Sequence, residues 1–434
     1  MKKTLLSLTL VFALLLSLCV PALAEAGTAE ITEEDVTAAL NELDGFIDEA
    51  LGLKAPAVTS KDMTFYLCSI DDTRTMPVYF IGDSDVPYIS LEAWAELYPY
   101  LLRTYVHKGK EEFKYGLSYS RDGETGILTR TDGDPYTMTV DCENDMIVFY
   151  DYDAFIRLEA DRALIDVLEA DSSHSDEEIS LFRRAEGSYA RYGDQLVLDA
   201  GAYGIDLVAD YKGIYVPMQT LSDFLLSLKY VNLFYNGDAV IFAKFGDLGE
   251  GLIGKRTEFG ELYYSAEKRE ISPAMGAFSY NELCLAFDRL YGLKDIHGIT
   301  CFDDLAQQAG AKEALMGPDP NAADAALYNI IFTHLDDKHS TFGMESAWSR
   351  DGLAKEMFST FGFGRGFLED NTTGAMYALA RAQAYPDGVP AYQEVGNTAY
   401  ITFDEFASIP EGVDFYQTPP TAENTDTIGL MIYA

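Results

Sequence analysis

The sequence predicts an α+β multidomain chain: two β-rich α+β repeat modules, then a helical subdomain. Three observations carry this. From about 61 to 245, short aromatic and β-branched runs alternate with Gly, Asp and Asn turns, which is strand chemistry. Within that stretch Val86-Pro87-Tyr88-Ile89-Ser90-Leu91-Glu92-Ala93-Trp94 aligns with Val216-Pro217-Met218-Gln219-Thr220-Leu221-Ser222-Asp223-Phe224, an internal repeat. From 278 onward the apolar residues recur at helical spacing instead.

Residues 1–24 read as a cleavable secretory signal. Lys2 and Lys3 precede an apolar run from Leu5 to Val20, and Ala22-Leu23-Ala24 is a small-x-small cleavage site. Cys19 hints at a lipoprotein site, but Leu18 is too large for the position before such a cysteine. No later stretch has the length of a transmembrane helix, so a secreted mature chain without a membrane span is expected. Residues 25–60 hold an amphipathic helix over 31–52 and a linker. Thr32 and Asp35 supply its cap, Val36, Leu40, Leu43, Ile47 and Leu51 its apolar face, and Lys54-Ala55-Pro56-Ala57 ends it.

The first module is expected over 61–170 and the second over 171–250, beginning with a solvated linker at Asp171–Asp176. In each, a strand ends in Val-Pro, and Ser90 or Thr220 caps a short helix that turns Trp94 or Phe224 inward. Hairpin-like strands follow at Met138–Tyr150 and Val231–Phe242, the second around Asn236-Gly237. Residues 251–345 hold a connector and the helical subdomain. There Ser279 and Glu282 form a capping box, Leu283, Phe287 and Leu290 line one face, and Gly292 stops the helix. Further helices are expected over 302–309 and from Asn321 to Asp336, the latter buried along Leu327, Ile330, Ile331 and Leu335.

Composition narrows the partners. The formal charge is −40, and loss of the leader leaves 29 basic residues against 71 acidic, or −42. Such a chain repels nucleic acid and anionic membrane. Asp132-Gly133-Asp134 opens like a calcium loop, but Pro135 and the ligand spacing end the likeness. Cys68, Cys142, Cys284 and Cys301 are too few and too scattered for a stapled scaffold and are expected as buried free thiols.

Two resemblances follow from these motifs. The strand, Val-Pro, capped helix, strand pattern resembles copper amine oxidase N-terminal-like domains, without any residues that suggest copper. The order Tyr280-Asn281-Glu282-Leu283, Leu290-Tyr291-Gly292-Leu293, Phe302-Asp303-Asp304-Leu305 and Asp336-Asp337-Lys338-His339-Ser340 resembles the helical segment of S41 serine peptidases. Thr398-Ala399-Tyr400-Ile401-Thr402-Phe403 is similar to the strand entering their α/β (ClpP/crotonase-like) core, and Asp426–Ala434 to the element that leads on. The likeness covers about 275–345 and 394–434. It implies an exported serine-type endopeptidase acting on a protein or peptide, with 346–434 the start of an incomplete core.

The implied mechanism is a serine activated by a desolvated lysine, with backbone N–H groups beside a Gly-Gly turn holding the oxyanion. The chain contains no Gly-Gly pair, and neither dyad residue can be placed, so no catalytic, cofactor-binding or metal residue is assigned and no cofactor is expected. About fifty residues separate the Asp-Asp step from the core strand, too few for a PDZ domain. His334 and His339 are five apart, not the four of a helical zinc pair, and the Asp336-Asp337 step reads as a capping device ahead of a catalytic one. Ser265-Ala266-Glu267-Lys268 lacks the companion motifs of a penicillin-binding protein, Gly362–Gly366 reads as a mobile loop, and Asn371-Thr372-Thr373 fits a glycan acceptor pattern. The alternative class is a secreted binding protein whose repeat modules dock to cell-wall components or a protein.

Overall fold

The computed structural model describes residues 57–101, 116–131, 135–156, 193–229, 231–248, 257–337, 339–362 and 364–404, with Thr427 and Leu430. The leader, the helix expected over 31–52, Asp132–Asp134, the linker at Asp171–Asp176 and most of Asp426–Ala434 lie outside the described residues. Among the described residues no helix is long and apolar enough to cross a membrane. The fold is mixed α+β and divides into two compact units. One runs to Ala323 and takes in Ser346–Arg350; the other comprises Asp324–Glu345 and the chain from Asp351.

In chain order the first unit begins with β1 (Val58–Leu67), β2 (Thr73–Ile81), β3 (Tyr88–Ser90) and α1 (Leu91–Leu101). Then come β4 (Leu117–Asp122), β5 (Thr125–Arg130), β6 (Thr137–Asp141), β7 (Met146–Phe149), α2 (Tyr152–Ile156) and β8 (Leu196–Asp199). It continues with β9 (Val208–Ala209), β10 (Ile214–Pro217), α3 (Met218–Leu225) and the hairpin β11 (Val231–Tyr235) and β12 (Ala239–Lys244). Seven strands form one sheet in the order β11-β12-β1-β2-β3-β10-β9, and β4 to β8 form an antiparallel sheet of five.

Period-two patterning sets the faces. Met63, Phe65 and Leu67 alternate with Thr64 and Tyr66 along β1, so three apolar side chains face inward. Leu128, Met138, Val140, Ile147 and Phe149 do the same in the smaller sheet, and they share one core with Trp94, Leu97, Phe224 and Phe242. β12 is apolar and buried from Ala239 to Ala243, as a strand covered on both faces must be. The Asn236-Gly237 hairpin forms as expected, with Gly237 at φ 92°.

The two repeat copies do not make separate sheets. β3 pairs antiparallel with β10 (Val216 opposite Ile89, Pro217 opposite Tyr88), and β1 pairs parallel with β12. The boundary expected between 170 and 171 therefore parts strands of one sheet. Each copy alone would leave β3 or β10 as an exposed edge, and mutual pairing satisfies both. Ser90 caps α1, its Oγ accepting from Ala93 N at 3.2 Å. Thr220 lies inside α3, not at its cap, because the helix begins at Met218 directly after Pro217. Val86-Pro87 precedes β3 where a strand ending was expected.

Helices α4 (Glu258–Tyr263), α5 (Pro273–Leu290), α6 (Phe302–Gln308) and α7 (Lys312–Leu315) complete the first unit, and α8 (Pro320–Asn329) begins in it. The helix expected from Ser279 starts about two turns earlier. Ser272 accepts from Met275 N at 3.0 Å and Pro273 takes the first helical position, a stronger start than Ser279 and Glu282 offer. Its buried face is accordingly Met275, Tyr280, Glu282, Cys284 and Leu285, while Leu290 is exposed.

In the second unit α8 passes into a π-helical turn at Ile330–Leu335, followed by α9 (Leu353–Phe361), α10 (Arg365–Ala384) and the hairpin β13 (Tyr392–Val395) and β14 (Thr398–Ile401). Tyr328, Ile330, Phe332 and Leu335 are buried, while the expected Leu327 and Ile331 are only half-buried. Residues 346–391 hold two helices, and β14 falls where a strand was expected at Thr398.

Trp94 is fully buried between α1 and the large sheet, against Phe242 at 6.1 Å. Trp94→Ala should cost about 3–5 kcal/mol of stability, measured by denaturant unfolding followed by circular dichroism.

Candidate functional site

The Asp336–Ser340 step begins where the π turn ends. Asp336 N donates to Ile331 O at 3.0 Å, the five-residue bond of that turn, and Asp336 adopts a left-handed conformation (φ 47°, ψ 42°). This left-handed residue ends the helix. Asp337 then organises the loop: Oδ1 accepts from His339 N at 2.7 Å and Ser340 N at 2.8 Å, and Oδ2 from Ser340 Oγ at 2.9 Å. Asx turns of this kind suit aspartate because its short side chain reaches the backbone two and three residues on.

Asp336 Oδ2 accepts from Gly366 N at 2.7 Å, which places a carboxylate on an unpaired amide in the first turn of α10. Two glycines make the approach possible. A Cβ on Gly364 would strike Asp336 Oδ1 and the Phe332 carbonyl, and one on Gly366 would stand 3.1 Å from Asp336 Oδ2. The segment expected as a mobile loop at Gly362–Gly366 thus contains the start of a helix, and its glycines serve close packing. Asn371-Thr372-Thr373 lies within α10, where Thr372 Oγ1 donates to Leu368 O at 2.8 Å. His334 and His339 are exposed, and the contact of His339 is through its backbone N–H. The step is a turn-and-cap device, as the spacing suggested.

Ser265 and Lys268 do not meet. Ser265 Oγ donates to Leu262 O at 2.7 Å, and Lys268 Nζ to Ala347 O at 2.9 Å. A desolvated lysine does exist elsewhere, and sequence reading passed over it. Lys229 is 4% exposed, donates to Leu225 O at 3.1 Å and lies 5.8 Å from the Tyr98 ring. Burial, reinforced by the Arg130 charge, pushes its ammonium down to about 7. It has the protonation behaviour of a base, yet its amine bonds a carbonyl at the end of α3 and no serine hydroxyl. The other missed group is a pair of carboxyls, Asp223 and Glu282, where α3 meets α5. Their only sequence signal was a polar residue on a helix face that proves to be buried.

The four described cysteines are free thiols, but only Cys284 is buried, whereas Cys68, Cys142 and Cys301 are half-buried rather than buried as expected. Burial raises the Cys68, Cys142 and Cys284 thiols to about 12, which leaves them protonated and unreactive at neutral pH. Among the described residues no three His, Cys, Asp or Glu side chains gather as a metal site. No family model, curated protein or solved structure matches the chain.

Gly364→Ala should destabilise the second unit by about 1–3 kcal/mol through the clash with Asp336, and Asp336→Ala should reduce that cost in the double mutant; denaturant titration of the four proteins checks the coupling. Lys229→Met should raise the melting temperature. A folded pKa below the unfolded one is a penalty that is full below pH 7 and fades toward the ordinary lysine range. The gain should therefore be larger at pH 6 than at pH 9.5 in thermal melts.

Proposed function

We propose that the chain is the forward, non-catalytic portion of an exported serine-type endopeptidase resembling the S41 peptidases, its Ser/Lys pair carried outside these residues. The observation that carries this reading is the Asp336–Ser340 step: an Asp-Asp-x-His-Ser turn that ends a helical segment and is tied by Asp336 to the next helix. Strand β14 supports it, lying where the resemblance puts the strand that enters a ClpP/crotonase-like core. In this reading the leader directs secretion with cleavage after Ala24, and the two Val-Pro copies are diverged repeat modules fused through β3 and β10. The described residues then hold and present the core; they do not cleave. The substrate is a protein or peptide.

A second reading, a secreted binding protein for cell-wall components or a protein partner, has its own observation. Tyr211 is 61% exposed, near a half-buried Tyr79 that packs at 4.6 Å on the buried Tyr215, on the side of the large sheet opposite Val78 and Ile214.

The parent gene read beyond codon 434 separates the two. The peptidase reading expects a Gly-Gly turn, a serine and a downstream lysine there, with a serine-reactive phosphonate labelling the longer product and not the 434-residue chain. Labelling of neither product would remove the peptidase reading and leave the binding one.

A further inference from the structure

Thr220 and Asp223 stand three residues apart on α3 and so share a face of that helix. Glu282 meets them from α5. Its Oε2 accepts from Thr220 Oγ1 at 2.6 Å, and Gln219 Nε2 donates to Asp223 Oδ1 at 2.6 Å. Glu282 is 2% exposed, and its other oxygen, Oε1, is buried without a donor among the described residues. Asp223, on the same face of α3 as Thr220, and Glu282 act on each other electrostatically, and among the described residues no cation acts on either.

Two ionised carboxylates cannot occupy this place cheaply. Glu282 is buried and Asp223 half-buried, so ionising both would leave a buried charge without a cation beside a second carboxylate, and the two would repel. A proton on Glu282 Oε1 removes both problems. The O–H donates to Asp223, the orphan oxygen gains a partner, and Oε2 still accepts from Thr220. We infer that Asp223 and Glu282 share a proton and form an acid-closed latch between α3 and α5, which loosens when the second carboxyl ionises.

The surroundings support this. Gln219 and Thr220 face the pair from α3 and Tyr88 from β3; the Tyr88 phenol is raised by burial and then by the charges of Asp206, Asp145 and Glu282, and stays neutral. Burial drives both carboxyls up, Asp223 to about 7 and Glu282 well above the usual carboxylate range. A raised carboxyl means that the folded chain binds more protons than the unfolded one. Stability is therefore greatest below the ordinary carboxylate range and is lost as pH rises through about 7. α5 keeps other anchors on the unit: Leu285 in the core, Tyr203 Oη donating to Asp288 Oδ2 at 3.0 Å, and Ser272 Oγ donating to Asp85 Oδ1 at 2.5 Å. Opening the latch thus loosens one contact and leaves the helix attached.

Glu282→Gln is the test, because its amide can donate to Asp223 while its carbonyl accepts from Thr220, a latch that cannot ionise. In the full chain between pH 5 and pH 8.5, the wild-type unfolding midpoint should fall. The Glu282→Gln midpoint should fall less, and that variant should be the more stable protein at pH 8.5. Hydrogen exchange over 278–287, corrected for the intrinsic pH dependence, should lose about tenfold protection in the wild type and none in the variant. Asp223→Asn removes the neighbouring charge and should flatten the same slope, so it serves if Glu282→Gln fails to fold. Parallel pH profiles for the wild type and a folded variant would overturn the latch.

Discussion

The parallel pairing of β1 with β12 closes the first unit. Thr64 to Leu67 lie opposite Ala239 to Phe242, so the first described strand is paired with the last strand of the sheet in chain order. A parallel pair cannot be made by a tight turn and requires the intervening chain to cross back. Here that intervening chain includes the whole five-stranded sheet, both Val-Pro segments, α1 and α3. With β3 and β10 paired as well, no cut between the repeats leaves two closed sheets. The same topology places the unit among folds rich in distant contacts, whose folding is slow because loop closure precedes any gain from pairing.

That closure also explains where polar groups are buried. A single core fed by two sheets and several helix ends encloses backbone carbonyls that need donors. Arg130 Nη1 donates to Ala154 O at 2.6 Å, at the last described turn of α2, and Lys229 does the same for Leu225 at the end of α3. Tyr98 Oη and Tyr152 Oη reach Leu225 O and Phe224 O at 3.0 and 2.8 Å. Lys229 thus sits at the C-terminus of α3, where the carbonyl dipoles favour positive charge. Lys229 still carries a desolvation cost that this dipole does not offset, as its lowered pKa records. The Asp223–Glu282 contact meets the opposite problem, buried acid without cation, by keeping a proton.

The sequence made the local elements legible and left the long-range ones hidden. Trp94 and Phe224 turn inward because helical spacing from a Val-Pro start dictates it, and the Asn236-Gly237 hairpin needs only its own residues. Pairing of β3 with β10 was not visible, since an internal repeat reads equally well as two modules in tandem or as two halves of one sheet. Glu282 shows the same limit at the level of one side chain. Three residues after Ser279 it fits a capping box, and the competing start at Ser272-Pro273 turns that position from a helix end into a buried face.

The candidate site divides along the same line. Asp337 could be read because its partners, His339 and Ser340, lie within three residues, and a short carboxylate next to free amides has few other outcomes. Asp336 could not, since its partner Gly366 comes from another helix, and nothing in Gly362–Gly366 distinguishes a flexible glycine run from one emptied to admit a carboxylate. Glycine is required here for what approaches it: Gly364 has an ordinary negative φ of −58°, so its need is spatial, not conformational. Once that contact is known, the motif acquires a physical meaning independent of any family. One aspartate folds the loop, the next one back fastens it to α10, and the histidine between them and the serine presents only its backbone. The carboxylates of the step are committed to backbone amides, so what it does in the structure is fold and fasten this loop.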